Sequence, residues 1–375
     1  MVDINPLVLG VLILISSLIS IRLSITVALI EVVFGVISGN LGFLTPQPWM
    51  LYIATFGGVL ITFLTGLEID LDFMRNEFRK IFLIGFLSFI IPFVIVSIFS
   101  YFIIGWNSNV SLLAGTAFSE TSVSIVYSVL VYRNLSNTNF GKVLAGATFV
   151  TNIFTAICLS GLFIVPDVYT LIFYIIAILI VILAYEYSYL FLEHVKLRDK
   201  IEEVELKYIF LLLLILIFFA DLGRSQAILP TFVLGLLLSK YFKTDSIAFE
   251  SKKRLKTIAF TFITPIFFIV AGTNISIPLV ISEIAIFLFL FVIRFIGKFL
   301  GVYFISKKYL KHDEIYFTML MSTSLTFGLI ATVFGLNSGL LDSQTYSILT
   351  GVLIMGAIIP TIIAEKKFLP KLFQS

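Results

Sequence analysis

Residues 110–131 read VSLLAGTAFSETSVSIVYSVLV. The stretch has the length of a helix that crosses a bilayer. Yet Ser119-Glu120-Thr121-Ser122-Val123-Ser124 puts five polar residues in six at its middle. A continuous helix presenting all of them to lipid would be unstable. Their hydroxyls compete with the backbone for hydrogen bonds, so a local break is expected, and at depth a break is tolerated only against protein or a water-filled cavity. A second cluster, Ser322-Thr323-Ser324-Leu325-Thr326-Phe327-Gly328, sits in the middle of residues 315–336. The two share the pattern Thr-Ser-apolar-hydroxyl: Thr121-Ser122-Val123-Ser124 and Thr323-Ser324-Leu325-Thr326. Ser and Thr also pack between membrane helices, which accounts for one such cluster better than for a matched pair.

The rest of the chain supports a membrane setting. Of its 375 residues 59% are hydrophobic and only 13% charged, with 40 Phe, and its mean hydropathy is +1.11. Soluble domains carry about 25% charged residues, so a water-soluble enzyme of this size is excluded. Nucleic-acid binding is excluded too, because the net charge is only +3 and the basic residues lie in short blocks between apolar runs. The single cysteine, Cys158, rules out an internal disulfide and a Cys-based metal cluster. The first apolar run lacks the basic start and small-residue cleavage site of a signal peptide.

Apolar runs broken by polar or Gly/Pro-rich turns predict about thirteen transmembrane helices: 6–21, 24–39, 50–67, 81–104, 110–131, 140–163, 169–191, 206–222, 226–241, 257–273, 279–305, 315–336 and 344–365. With the N-terminus outside, 22 of the 25 Lys and Arg fall on the inner side, as cytoplasmic loops require. The exceptions are Arg224, on the outside, and Arg294 and Lys298, within the eleventh segment. The C-terminus is then cytoplasmic, and no fused soluble domain is expected. The fifth and twelfth segments run in opposite directions. Paired polar interruptions in oppositely directed helices point to an inverted-repeat transporter with its site at the midplane.

A charge within hydrocarbon costs about 2.5–3.5 kcal/mol on insertion scales, so each one needs a reason. Those near segment midpoints are Glu31, Glu120, Arg294 and Lys298, joined by the polar pair Thr151-Asn152. Glu186 and Glu283 read as interfacial. Glu68 and Asp70 read as a solvated turn, and His194 and His312 as loop surface.

The chain resembles the monovalent cation:proton antiporter superfamily, in the branch of the NapA-like and Kef-like exchangers. The residues that carry the resemblance are Glu31-Val-Val-Phe-Gly-Val-Ile-Ser-Gly39, Gly66-Leu-Glu-Ile-Asp70 and Thr121-Ser-Val-Ser-Ile125. Gly146-Ala-Thr-Phe-Val-Thr-Asn152, Pro265-Ile-Phe-Phe268 with Gly272, and Gly297-Lys-Phe-Leu-Gly-Val302 continue it in family order. The resemblance implies an all-α polytopic protein of NhaA/NapA-like fold, with inverted repeats and two crossed discontinuous helices. It implies a homodimer whose protomers have a core (80–165 and 279–366) that moves against a scaffold (1–79 and 166–278). The cargo would be Na⁺, K⁺ or Li⁺ against H⁺, in a prokaryotic inner membrane, with no cofactor and no enzymatic reaction. On this reading Asn152, Thr151, Glu120, Thr121, Ser122 and Thr148 hold the ion through oxygen ligands. Lys298 and Arg294 compensate charge, and Thr323 and Ser324 mark the second crossing helix. The plainer alternatives are packing for Thr148, snorkelling to the inner interface for Lys298, and scaffold packing or an access funnel for Glu31. Arg294 would be a counter-ion to Glu120 or Glu31.

One position departs from the family. Where the resemblance places an essential Asp, the chain has Asn152, which keeps a carbonyl ligand but cannot titrate. Three readings stand, in order of preference: a charge-neutralised variant that mimics the protonated Asp, an exchanger whose titrating group is Glu120, and a non-antiporter. Two other classes remain open, a Na⁺-coupled organic solute symporter of bile-acid-transporter type and a cation-binding membrane sensor without flux. The helices carry no HExxH, GxSxG or paired Asp motif, which disfavours an intramembrane hydrolase.

Overall fold

A computed structural model describes residues 3–23, 25–69, 71–136, 138–162, 167–192, 203–223, 225–242, 246–310 and 313–368. Asp70, His194, His312 and Arg224 lie outside them, as do Lys196, Arg198, Lys200, Lys243, Lys311 and Lys371 of the basic loops and tail. The described residues are helical, without strands.

The helices are α1 (Asn5–Leu23), α2 (Val27–Asn40), α3 (Pro48–Leu67) and α4 (Phe78–Phe99, ending in a π-helical turn Ser100–Ile104). The discontinuous α5 follows as α5a (Ser108–Ser119) and α5b (Val123–Tyr132). Next come α6 (Asn139–Leu162), α7 (Val168–Leu192), α8 (Val204–Leu222) and α9 (Ile228–Leu238). Helix α10 runs as Ser246–Ile258, a π-helical turn Ala259–Ile263, and Thr264–Thr273. Then α11 (Ile284–Tyr309), the discontinuous α12 as α12a (Glu314–Met321) and α12b (Thr326–Asn337), and α13 (Ser343–Lys367) complete the series. Short helices Leu71–Asn76 and Ile277–Ser282 lead into α4 and α11.

The segments read from hydropathy overlap these helices, and both breaks fall in the hydroxyl clusters. Among the described residues, nine helices are long and apolar enough to cross a membrane, with α2 and α9 shorter. The tenth segment differs from expectation: it starts at Ser246 rather than at 257. Its first turns, SIAFESKKRLKTI, are amphipathic and basic, so a search for apolar runs stops short of them.

Two compact units emerge: Met1–Pro46 with Leu71–Cys158 and Phe268–Ser375, and Gln47–Asp70 with Leu159–Phe267. The first holds α1, α2, α4, α5, most of α6, the end of α10, and α11 to α13. Residues 1–46 cluster with this unit. The cause is a close backbone approach. A Cβ on Gly35 would lie 2.9 Å from Gly272 Cα, and one on Gly272 would lie 2.9 Å from Gly35 Cα. Small residues let membrane helices approach in this way, and here they hold α2 on the last turns of α10. The same device seats α11 on α4, where a Cβ on Gly297 would come within 2.9 Å of Pro92 Cα. A shared apolar cluster joins α4, α5b, α6, α11, α12a and α13, through Ile84, Leu130, Leu144, Val302, Phe317 and Ala364.

In the second unit, Glu68, just past the end of α3, pairs with Lys252 (3.2 Å) and Lys256 of α10. Burial alone would raise the Glu68 carboxyl, but these two ammonium groups bring it below its ordinary value. Glu205, at the start of α8, accepts from Ser251 (2.8 Å) and Arg254 (3.3 Å).

Candidate functional site

The two breaks meet. Glu120 takes an extended conformation after α5a, with φ −65° and ψ 160°, and Thr121 and Ser122 carry the gap to α5b. In α12 the gap runs from Ser322 to Leu325. The freed backbone groups are satisfied across the crossing. The Ser122 amide donates to the Thr323 carbonyl at 3.1 Å, and the Thr121 hydroxyl donates to the Met321 carbonyl at 2.9 Å. The hydroxyls of Ser122, Ser124 and Thr326 lie 3.1–3.2 Å from one another. The clusters that break the helices therefore also bind the breaks together.

Four helix ends converge here, two N-terminal and partly positive, two C-terminal and partly negative. The side chains match them in sign. The Leu325 amide, at the start of α12b, donates to Glu120 Oε1 at 2.5 Å. At the C-terminal end of α5a, Lys298 Nζ donates to the Ser119 carbonyl (2.6 Å), the Thr121 hydroxyl (3.0 Å) and the Ser88 hydroxyl (3.1 Å). At the end of α12a, Arg294 Nη2 donates to the Ser322 carbonyl at 2.7 Å. Glu120, Arg294 and Lys298 are each 0% exposed.

This geometry corrects one of the plainer readings. Lys298 does not snorkel, since its ammonium ends among α4 and α5. Arg294 holds a backbone carbonyl, and among the described residues it has no carboxylate within 4 Å; Nε and Nη1 are buried without a hydrogen-bond partner. Ser324 Oγ is likewise unpartnered. A Cβ on Gly356 of α13 would meet both Arg294 Nη1 (2.6 Å) and Ser324 Oγ (3.0 Å), so the two side chains face one spot.

The α6 residues stand beside this group. Thr148 Oγ1 donates to the Leu144 carbonyl (2.9 Å) and touches Met321 Sδ (3.6 Å), which sets this face of α6 against the end of α12a. Thr151 bonds its own helix, at the Thr148 carbonyl (2.7 Å). Asn152, one turn after Thr148, is 0% exposed, and neither Oδ1 nor Nδ2 has a hydrogen-bond partner. The structure thus brings Glu120, Thr121, Ser122, Thr323, Lys298 and Arg294 into one bonded network. Thr148 borders it, and Thr151 and Asn152 make no hydrogen bond to it. Glu31 lies apart on α2, buried.

Ser88 escaped the sequence reading. It is a lone hydroxyl in an apolar span, and only its partner Lys298, 210 positions away, distinguishes it from a packing residue.

Chemically, the crossing offers one carboxylate with Oε2 unpartnered, several hydroxyl and carbonyl oxygens, and two fixed cations. Oxygen ligands of this kind suit hard cations.

Comparison with known proteins agrees with this architecture. The sequence matches the family described as sodium/hydrogen exchanger, transmembrane, over residues 9–365. It is 25% identical over 356 residues to the probable Na⁺/H⁺ antiporter 3 of Methanocaldococcus jannaschii, covering 90% of this chain and 89% of that one. It is 24% identical to a Na⁺/H⁺ antiporter of Enterococcus hirae, covering 96% of each. The fold is similar to that of the sodium proton antiporter MjNhaP1 from Methanocaldococcus jannaschii at pH 8, with a TM-score of 0.68 at 14% identity, over 97% of this chain and 98% of that one. With the match running from α1 to α13 and the same fold beneath it, the chain belongs to the sodium/hydrogen exchanger family.

Proposed function

We propose that the chain is a secondary antiporter that exchanges Na⁺, or K⁺ or Li⁺, for H⁺ by alternating access, and that Glu120 is the group that carries the exchange. Family membership and the names of its relatives support the transport class. One observation carries the assignment of the carrier. Among the described residues the buried acidic side chains are Glu31 on α2, Glu205 on α8 and Glu120, and only Glu120 belongs to the crossing. Asn152 cannot titrate. The orphaned Oε2 of Glu120 can take either a proton or a desolvated cation, and the two compete because one carboxylate oxygen serves both. Thr121, Ser122, Ser324 and the Asn152 carbonyl supply neutral oxygens for the cation. Thr148 and Thr151 shape the α6 wall. Lys298 and Arg294 hold the two C-terminal helix ends, so that the crossing survives while Glu120 changes its occupant.

The wider reading follows the family. The chain has thirteen crossings with inverted repeats, its N-terminus outside and its C-terminus in the cytoplasm of a prokaryotic cell, and works as a homodimer. Residues 80–165 and 279–366 form the moving core, and 1–79 and 166–278 the scaffold.

The test is proton flux driven by a Na⁺ gradient in liposomes holding the purified chain. The chain exchanges, Glu120→Gln does not, and Asn152→Asp is not needed for activity. An inert chain that Asn152→Asp activates returns the carrier role to position 152 and overturns the assignment. Thermal stabilisation by Na⁺ with no flux in either form favours a sensor instead.

A further inference from the structure

A second polar group lies away from the crossing, at the inner ends of the same helices. Arg133 follows Tyr132, the last residue of α5b. Its Nε (2.9 Å) and Nη2 (2.6 Å) both donate to Glu365 Oε2, near the end of α13. Tyr316, in α12a, donates its hydroxyl to Glu365 Oε1 at 2.7 Å. One carboxylate therefore ties three helices, and two of them are the inner halves of the discontinuous pair. The same halves share the apolar cluster through Val126, Leu130, Tyr316 and Leu320.

The tie is mechanically connected to the breaks. α5b is a rigid rod from Val123 to Tyr132, with Arg133 at one end and Ser122 at the other. α12a runs from Glu314 to Met321, and the Met321 carbonyl is the acceptor for the Thr121 hydroxyl. A shift at the Glu365 end of either rod is delivered to Thr121 or Ser122. At the breaks the helical ladder is interrupted, and the Ser122 amide turns to the Thr323 carbonyl of the other helix instead. The pair is part-exposed, at 27% and 22% of the side chains, and surface pairs of that kind contribute little to overall stability.

We infer that Glu365 is a positioning residue for exchange: with Arg133 and Tyr316 it fixes the inner half-helices so that the oxygens of the two breaks keep their ligand geometry. The inference rests on the exchange reading for its transport consequence, but not for its structural one.

The experiment therefore has two arms on the full-length chain. In liposomes, Glu365→Gln raises the half-saturating Na⁺ concentration roughly fivefold, the scale of one lost ion pair, with a smaller change in maximal rate. Tyr316→Phe shifts it in the same direction, and the exchanged pair Arg133→Glu with Glu365→Arg restores it in part. In detergent, hydrogen exchange read by mass spectrometry speeds up in Glu365→Gln at residues 120–126 and 322–326, while α3 and α9 keep their protection. This second arm does not depend on flux, so a chain that fails to transport overturns the functional reading and leaves the positioning role to be judged by exchange alone. Unchanged protection at both breaks overturns the inference. So does a uniform loss of protection over all helices, which marks Glu365 as a general stabiliser.

Discussion

Lys298 Nζ lies 2.6 Å from the carbonyl oxygen of Ser119, the last residue of α5a. The ammonium thus sits on the negative end of a half-helix and also donates to the Thr121 and Ser88 hydroxyls. Removing it strands a helix terminus and the Ser88 hydroxyl in a buried interior, while Thr121 keeps its bond to the Met321 carbonyl. Lys298→Ala is expected to destabilise the protein by about 3 kcal/mol, the scale of losing charge-assisted hydrogen bonds from buried groups. Thermal unfolding in detergent measures this. Lys298→Arg retains the charge but not the compact three-way geometry, and should recover part of the stability. Equal melting of the Ala variant and the parent would refute the role.

The two breaks were legible because their cause is local. Hydroxyl runs at Ser119–Ser124 and Ser322–Thr326 compete with the helix backbone where they stand. The midpoint position of Lys298 was legible, but its partner Ser88, 210 positions away, was not. The pair Arg133 and Glu365, 232 positions apart, was not legible for the same reason. The start of α10 was missed because its basic first turns depend on Glu68 and Glu205 for partners. Thr148 and Thr151 entered as ligand candidates through the resemblance, and each hydroxyl donates to a carbonyl of its own helix, an option open to any helical Thr.

The contact between Gly35 and Gly272 admits no side chain on either helix. A Cβ on Gly272 meets the Val32 carbonyl as well as Gly35, and these are backbone atoms that cannot rotate away. Gly272→Val should therefore lower stability by about 1–3 kcal/mol, the range for overpacking, whereas Gly10→Ala, with nothing within 4 Å of its Cβ, should be nearly neutral. Comparing the melting temperatures of the two variants is the check. A tolerated Val at 272 would mean that α2 is not held by this approach.

Glu68 gives a pH signature outside the membrane-spanning segments. Lys252 and Lys256 hold its carboxyl below the ordinary value of 4.5 against the opposing effect of burial. Since the folded-state value is depressed, the stabilisation is present above the unfolded value and is lost as pH falls through the folded one. Glu68→Gln should cost about 0.5–1 kcal/mol, part-exposed pairs being screened, by a constant amount from pH 6 to 8 (roughly the plateau expected from linkage). The difference between Gln and parent should shrink only in acid, below the ordinary carboxylate range. A gap that closes near neutrality would contradict the pairing.

Charge accounting at the crossing leads to the stoichiometry. Glu120 is the one carboxylate there among the described residues, and Asn152 is neutral. Each ammonium hydrogen of Lys298 already has a neutral oxygen acceptor, and Arg294 does not deprotonate. A single carboxylate carries one Na⁺ in one direction or one H⁺ in the other, so the loaded site has the same charge on both journeys. Exchange should then be one-for-one and indifferent to membrane potential. Clamping liposomes with K⁺ and valinomycin at opposite polarities should leave the initial rate of the parent chain unchanged. Asn152→Asp adds a second titratable carboxylate and removes that balance, so its rate should acquire a dependence on the clamped potential. A parent chain already driven by potential would mean that Lys298 gives up a proton during the cycle, and Lys298→Arg, which cannot do so, should then abolish the dependence.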